Sequence, residues 1–131
     1  DENSVVMSDA GGIAEGAELF KVNCVVCHLA QGQGSIGPNL TDDYWINKGG
    51  LKDIFTTIKY GVPAKGMKSW AEDFSPRQIA NLSSFVKSLR GSNPPNPKEK
   101  QGELYVEETP GNPSVDTTKN IKAVDTTSLT K

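Results

Sequence analysis

A chain of 131 residues that is 35% hydrophobic, with 13 glycines and 8 prolines, has enough apolar material for one small core and little more. Its formal net charge of −2 at pH 7 is too small to indicate a nucleic acid or an anionic membrane surface as partner. No long apolar run is present, so the sequence predicts no membrane-spanning helix.

The apolar residues concentrate between Ile13 and Leu89, which divides the chain into three predicted segments. Residues 1–11 are polar and lack periodicity, so they are interpreted as an N-terminal arm or linker. Residues 12–91 form the predicted all-α domain. Residues 92–131 are rich in Pro, Thr and charged residues and are interpreted as a mostly irregular tail, either mobile or laid over the domain. A core of this size is marginal alone, so a cofactor is expected to complete it.

The first predicted helix is marked by Ile13, Ala17 and Phe20, which fall at i, i+4 and i+7 and lead directly to Cys24. Gly16 lies beside this face. A glycine inside a helix costs about 1 kcal/mol relative to alanine, so it indicates a close approach by another backbone. An ordinary surface glycine is the alternative interpretation.

The pentad Cys24-Val25-Val26-Cys27-His28 contains both cysteines and the only histidine of the chain. Two thiols three positions apart can each add across a vinyl group of one haem, and the next residue offers an imidazole to the iron. The pentad therefore predicts one haem c, bound covalently through Cys24 and Cys27, with His28 as an axial ligand.

Three other interpretations of this pentad use fewer of its residues. A dithiol redox pair would follow a strand, whereas a helical pattern leads into Cys24. A structural zinc ion needs four ligands, and no second Cys/His pair remains. A disulfide between Cys24 and Cys27 would leave His28 without a role.

A glycine-rich segment, residues 31–40, follows His28 and is predicted to be a loop. Pro38 in this loop is the predicted carbonyl partner of the His28 Nδ1 atom, which would leave Nε2 for the iron. Tyr44 and Trp45 come next and are expected to point inward. Either ring could donate a hydrogen bond to a haem propionate or be an ordinary core residue.

Two further helices are predicted from apolar spacing and capping residues. The first is expected to end at Gly61 as an αL cap, and its apolar stripe is Leu51, Ile54, Phe55 and Ile58. The second has an N-cap serine at Ser75, Pro76 at its first position, Gln78 in a capping box and Gly91 at its close. Its apolar stripe is Ile79, Leu82, Phe85, Val86 and Leu89.

The sixth position of the iron has two candidate thioethers, because Met7 and Met67 are the only methionines. Met67 lies in a Gly/Pro loop expected to reach the opposite haem face, whereas Met7 lies in the polar arm. A thioether is a soft ligand that favours Fe(II), so a His28/Met67 pair suits a reversible one-electron carrier. The alternative is that Met67 only fills a gap and the sixth site is open or takes Lys65 or Lys68.

Four groups of residues resemble those of class I cytochromes c. They are Gly16, Phe20 and Cys24 in the first helix, Leu82 and Phe85 in the last, the loop Gly37-Pro38-Asn39-Leu40, and Gly66-Met67. The resemblance implies the class I cytochrome c fold, in which the first and last helices cross with the glycine at their contact. It also implies that Pro38, Leu40, Trp45 and Met67 contact the haem.

More narrowly, residues 37–45, 61–70 and 88–96 resemble the cytochrome c domain of the CcoP/FixP subunit of cbb-type haem-copper oxidases. This resemblance covers roughly residues 12–105. Those subunits carry membrane anchors and often two CxxCH sites, whereas this chain has one site and no anchor. The chain is consistent with either an excised domain of such a subunit or a soluble relative of it.

The leading functional hypothesis is transfer of single electrons between a donor and an acceptor redox protein in a respiratory chain, without catalysis. A haem-copper oxidase is the partner that the resemblance implies. Lys59, Lys65 and Lys68 surround the Met67 loop and either steer an acidic partner or form a solvated surface. The alternatives are a haem enzyme or gas sensor with an open sixth position, and a haem-free interaction module.

The expected location is the bacterial periplasm or another compartment outside the cytoplasm, because haem c is attached there. Association with the membrane would come through a missing anchor or a partner subunit. The chain is accordingly interpreted as a mature or excised fragment that starts at Asp1.

Overall fold

The structure is a computed structural model that describes residues 3–106, and most of its regular structure is helical, as predicted. The α-helices are α1 (Ala10–Asn23), α2 (Val25–His28), α3 (Leu51–Tyr60) and α4 (Pro76–Ser88). A 3₁₀ turn spans Pro63–Lys65, and two short strands are β1 (Tyr44–Trp45) and β2 (Glu103–Leu104).

Helix α1 begins at Ala10, two residues inside the predicted arm. Asp9 caps it, since Asp9 Oδ1 accepts a hydrogen bond of 2.8 Å from the Gly12 amide. The preceding residue is fixed to helix α4, because the Ser8 amide donates to Ser84 Oγ at 2.9 Å and Ser8 Oγ donates to Asn81 Oδ1 at 2.7 Å. The end of the predicted arm therefore belongs to the folded unit.

Helices α1 and α4 pack with their backbones close together at Gly16, which is buried. An ideal Cβ at Gly16 would lie 2.6 Å from the carbonyl carbon of Asn81 and 3.0 Å from the amide nitrogen of Leu82. The close backbone approach predicted from this glycine is confirmed. Phe20 continues the contact, with 1% of its surface exposed and its ring centroid 5.2 Å from that of Phe85.

The capping signals set the ends of α3 and α4. Ser75 Oγ accepts from the Gln78 amide at 3.1 Å, and Gln78 Oε1 accepts from the Ser75 amide at 2.8 Å, which confirms the predicted capping box. Gly61 ends α3 with φ 74° and ψ −178°, so the predicted αL conformation is wrong although the positive φ still favours glycine. Helix α4 ends at Ser88, before the predicted closing residue Gly91.

The core lies between α1, α3 and α4 and contains most of the apolar stripes predicted for α3 and α4, with Phe85 and Leu89 partly buried against it. Leu51 of the predicted α3 stripe is not part of this core. Its buried hydrophobic residues are Phe20, Leu40, Ile54, Phe55, Ile58, Ile79, Leu82 and Val86. Within residues 3–106 no helix combines the length and apolar character that crossing a membrane requires.

A segment of the predicted irregular tail forms a strand that the sequence does not indicate. Strand β2 pairs antiparallel with β1, with Tyr44 opposite Leu104 and Trp45 opposite Glu103. Two residues are too short to show an alternating pattern, so this pairing has no periodic signal. The remainder of that tail, residues 107–131, lies outside the described residues.

Substitution of Gly16 by alanine is expected to lower the free energy of unfolding by about 1–3 kcal/mol, because the new methyl group would force α1 away from α4. The control is Gly11→Ala in the same helix, where the nearest atom to the new Cβ is Asp9 Oδ1 at 3.6 Å. Urea denaturation measures the free energy of unfolding of both variants. Equal midpoints for the two variants would show that the helix contact tolerates a side chain.

Candidate functional site

The pentad folds as a single helical turn that begins where α1 ends. The amides of Cys27 and His28 both donate to the Cys24 carbonyl, at 3.2 and 3.0 Å. Cys27 and His28 are the last two residues of α2, and Cys24 is its N-cap residue, so one turn of chain carries both thiols and the imidazole. Both cysteines are free thiols of intermediate burial.

The electrostatic setting of Cys24 does not match a reactive dithiol. Burial, followed by the proximity of Cys27, raises the pKa of the Cys24 thiol to about 11. A redox-active CxxC pair instead has a thiol whose pKa is lowered, since the thiolate is the nucleophile. The structure therefore disfavours the dithiol interpretation of the pentad.

His28 has the hydrogen bond expected of it, with Nδ1 2.9 Å from the Pro38 carbonyl oxygen. Burial lowers the pKa of His28, the bond to Pro38 opposes this shift, and the charge of Lys98 adds to it. The imidazole is therefore neutral at pH 7, and an Nδ1–H that donates to Pro38 leaves the Nε2 lone pair for a metal.

The loop after His28 folds back on the pentad. The Gly37 amide donates to the Cys27 carbonyl at 2.8 Å, and the Gly34 amide donates to the His28 carbonyl at 2.9 Å. An ideal Cβ at Gly37 would lie 2.6 Å from His28 Cε1 and 2.9 Å from Nε2, so only glycine allows this approach. The sequence shows a glycine at this position, but no residue spacing predicts that it contacts the His28 ring. Leu40, at the end of the loop, is 8% exposed and belongs to the core.

Trp45 has an unfilled hydrogen-bond donor. Its ring packs against the core, and Nε1 is the one buried side-chain nitrogen or oxygen of residues 3–106 without a hydrogen-bond partner. Gly49 backs the ring, since a Cβ there would lie 2.7 Å from Nε1. Buried indole N–H groups nearly always have an acceptor, so this atom indicates an acidic or carbonyl group of a ligand. Tyr44, the alternative donor, lies under the Lys100 ammonium at 4.4 Å from the ring centroid.

Met67 is half-buried against the core, on a turn closed by two backbone hydrogen bonds with Val62, of 2.8 and 3.1 Å. Gly66 precedes it in the left-handed conformation. The alternative ligands Lys65 and Lys68 are exposed, and Lys68 Nζ lies 3.0 Å from Asp73 Oδ2. The geometry therefore favours Met67 as the residue of this loop that reaches a buried ligand.

Trp70 and Met7 behave as ordinary packing and surface residues. Trp70 stacks on Phe74 with ring centroids 5.1 Å apart, as expected of a packing residue. Met7 is 47% exposed on the arm.

The residues at this site fit a haem. Two free thiols, a neutral imidazole with an available Nε2, a half-buried thioether and one unpartnered indole N–H match the vinyl groups, iron and propionates of that group. A zinc site fits less well, because in residues 3–106 no three His, Cys, Asp or Glu residues cluster to hold a metal ion.

A family model described as cytochrome c oxidase, cbb3-type, subunit III matches residues 11–86, more than half of the chain. The chain belongs to this family. The match begins in α1 and ends in α4, so it includes the pentad, the Pro38 loop and the Met67 turn.

Curated proteins named as subunits of cbb3-type cytochrome c oxidases resemble the chain. The CcoP subunit of Azospirillum sp. is 36% identical over 92 residues, which cover 60% of this chain and 31% of that protein. The FixPc subunit of Rhizobium leguminosarum is 38% identical over 86 residues, covering 59% and 30%. The chain thus matches about a third of the length of these relatives.

Solved structures of two cytochromes cL share the fold. The protein from Methylophaga aminisulfidivorans has a TM-score of 0.58 and 28% identity, covering 63% of this chain and 56% of that one. The protein from Hyphomicrobium denitrificans has a TM-score of 0.59 and 27% identity, covering 64% and 51%. The predicted class I cytochrome c fold is confirmed, and membership of this cytochrome family implies haem c as the cofactor.

Replacement of Trp45 by phenylalanine removes the unfilled donor and keeps an aromatic ring. If Nε1 donates to a haem propionate, the haem-loaded variant should lose about 1.5–3 kcal/mol of unfolding free energy, the usual loss for a hydrogen bond to a charged group. Trp70→Phe is the control, because the Trp70 ring stacks on Phe74 and is partly exposed. Denaturant titration gives both values, and a Trp45→Phe loss no greater than the control would contradict the assignment.

Proposed function

We propose that this chain is a monohaem c-type cytochrome domain that passes single electrons between redox proteins and has no catalytic activity of its own. The observation that carries the proposal is the commitment of His28 Nδ1 to Pro38, directly beside two free thiols. This arrangement leaves one neutral ring nitrogen, Nε2, at a site that can hold haem covalently.

Each residue of the proposed site has one role. Cys24 and Cys27 hold the haem through thioether bonds, and His28 binds the iron through Nε2. Met67 supplies the sixth ligand from the turn closed by Val62. The bound haem supplies a reversible one-electron couple, and a thioether ligand raises its potential.

The surrounding residues exclude water and orient the group. Leu40 contributes an apolar wall, and Trp45 Nε1 donates to a propionate. Pro38 orients His28 through its carbonyl oxygen. With the single histidine of the chain used as a ligand, no imidazole remains to act as an acid or base on a small substrate.

The partner we propose is a cbb3-type oxidase, because the family model that matches residues 11–86 and the relatives CcoP and FixPc are described as subunits of such oxidases. Electrons would enter from a donor redox protein and leave towards the oxidase in a respiratory chain. The proposed location is the bacterial periplasm, with membrane association through an anchor or partner subunit. Residues 12–91 are the main part of the proposed haem-binding unit, to which the end of the arm 1–11 and the start of the tail 92–131 are bonded.

Met67→Ala is expected to remove the sixth ligand from the iron. The ferric protein should lose the weak near-infrared band of an iron–thioether bond and become high-spin, and the reduced protein should bind carbon monoxide quickly. The matched control is Met7→Ala, which changes the other methionine of the chain.

Retention of the near-infrared band in Met67→Ala would overturn the sixth-ligand assignment. A wild-type ferric protein that is already high-spin would instead support the alternative function, a haem enzyme or gas sensor with an open sixth position. A wild-type protein without covalent haem after expression with attachment machinery would overturn the cytochrome proposal itself.

The lysines near the Met67 turn are proposed to steer a negatively charged partner. Lys65 and Lys68 are exposed and Lys59 is half-buried. Lysines at an exposed docking edge raise association rates at low salt, and salt weakens this effect because it screens charges that are more than about one Debye length apart.

Oxidation of the reduced protein by hexacyanoferrate(III), an anionic probe, tests this steering. Lys65→Gln should lower the bimolecular rate about twofold at low ionic strength, and the difference should vanish near 1 M salt. Lys52→Gln, an equal charge change on exposed helix α3, serves as control. Rates that do not depend on ionic strength would argue against steering.

A further inference from the structure

Residues 98–105 form a strap that crosses the loop behind His28. At its start the Lys98 amide donates to the Gln33 carbonyl at 2.9 Å. Its middle contains strand β2, paired with β1. At its end the Tyr105 amide donates to the Asp43 carbonyl at 2.8 Å. The strap is therefore bonded at both ends to the segment that carries Pro38 and Trp45.

The far end of the strap is held by Arg90. Its Nη2 donates to the Tyr105 carbonyl at 2.6 Å, and its Nε donates to Asp43 Oδ1 at 2.8 Å. The same guanidinium lies 5.5 Å from the centroid of the Tyr105 ring. These contacts fix the strap to the turn that follows helix α4.

Lys98 is the residue of the strap that contacts the loop behind His28 most extensively. Besides the bond to Gln33, its carbonyl accepts from Asn39 Nδ2 at 3.2 Å and its Nζ donates to the Ile36 carbonyl at 3.5 Å. Asn39 is 5% exposed and borders Pro38 directly. The ammonium is thereby held over the loop that accepts the His28 hydrogen bond.

We infer that Lys98 is a positioning residue for the haem, which pins the Pro38 loop through its backbone and raises the reduction potential through the charge of its ammonium group. The inference rests on the proposed haem site. Reduction removes one positive charge from the iron, so a fixed positive charge nearby disfavours the ferric form. The charge lies beside the ring's partner, because Lys98 Nζ bonds to Ile36, two residues before the Pro38 carbonyl that pairs with His28.

Lys100 offers a matched control on the same strap. It has the same charge and lies two residues further along, but its ammonium is over the Tyr44 ring at 4.4 Å. No bond of Lys100 to the His28 loop is present in residues 3–106. If only net charge mattered, substitution of either lysine would shift the reduction potential equally. If the effect is local, substitution of Lys98 would cause the larger shift.

The experiment is a spectroelectrochemical titration of the haem-loaded 131-residue chain and its variants Lys98→Gln, Lys98→Arg and Lys100→Gln. In Lys98→Gln the ratio of reduced to oxidised protein at a fixed potential should fall about threefold, which is about 28 mV at 59 mV per tenfold change. Lys98→Arg should restore the wild-type ratio. Lys100→Gln should change it by less than half as much.

Hydrogen exchange of the Leu40 amide, which donates to the Gly32 carbonyl, checks that the His28 loop stays folded in each variant. All three variants keep the Lys98 backbone bonds, so its protection should remain while the potential moves. Equal shifts for Lys98→Gln and Lys100→Gln, or no shift for Lys98→Gln, would overturn the inference alone. If the wild-type protein shows no six-coordinate spectrum, the proposed function is overturned, and this inference with it.

Discussion

The hydrogen bond between His28 Nδ1 and the Pro38 carbonyl is the interaction on which the rest of the site depends. It requires the chain to reverse within ten residues, and the amides of Gly34 and Gly37 make that reversal by donating to carbonyls of the pentad. It also requires a residue without a side chain at Gly37, because a Cβ would displace the ring. Because each element supports the same ring orientation, His28 is fixed before any metal binds.

The parts of the site that the sequence predicts are those encoded by local chemistry. The CxxCH spacing of Cys24 and His28, the Ser75 capping box and the glycine at the α1–α4 contact each carry a signal within a few residues. The strap carries none, because Lys98 meets Asn39 across 59 residues of chain and β2 is too short for a periodic pattern. The ends of helices were also less predictable, since α4 stops at Ser88 where the chain turns towards Thr41 rather than at the next glycine.

Trp45 shows how binding of the cofactor would also contribute to the free energy of folding. A buried donor without an acceptor costs about 1–3 kcal/mol in the polypeptide alone. In the proposed site a propionate removes this cost, and the haem fills space that a domain of this size could not fill with its own side chains. The same residue is ambiguous in the sequence, because an indole ring suits a core and a propionate site equally well. Only its position, with the ring enclosed by Gly49 and Nε1 unpaired, separates the two.

The proposed scheme gives lysines in two regions two different roles. Screening by salt explains why one role does not interfere with the other. Lys65 and Lys68 are exposed, so ions screen their fields within about 8–10 Å and their influence is confined to the approach of a partner. The Lys98 side chain is half-buried and its ammonium bonds to the loop that holds His28, so in this scheme its field acts on the iron site itself rather than on an approaching partner. A change in ionic strength therefore alters the rate of encounter far more than the driving force. In this scheme Lys98 adds to the rise in potential that the Met67 ligand provides, and the exposed lysines beside the Met67 turn set the rate of encounter with a negatively charged partner.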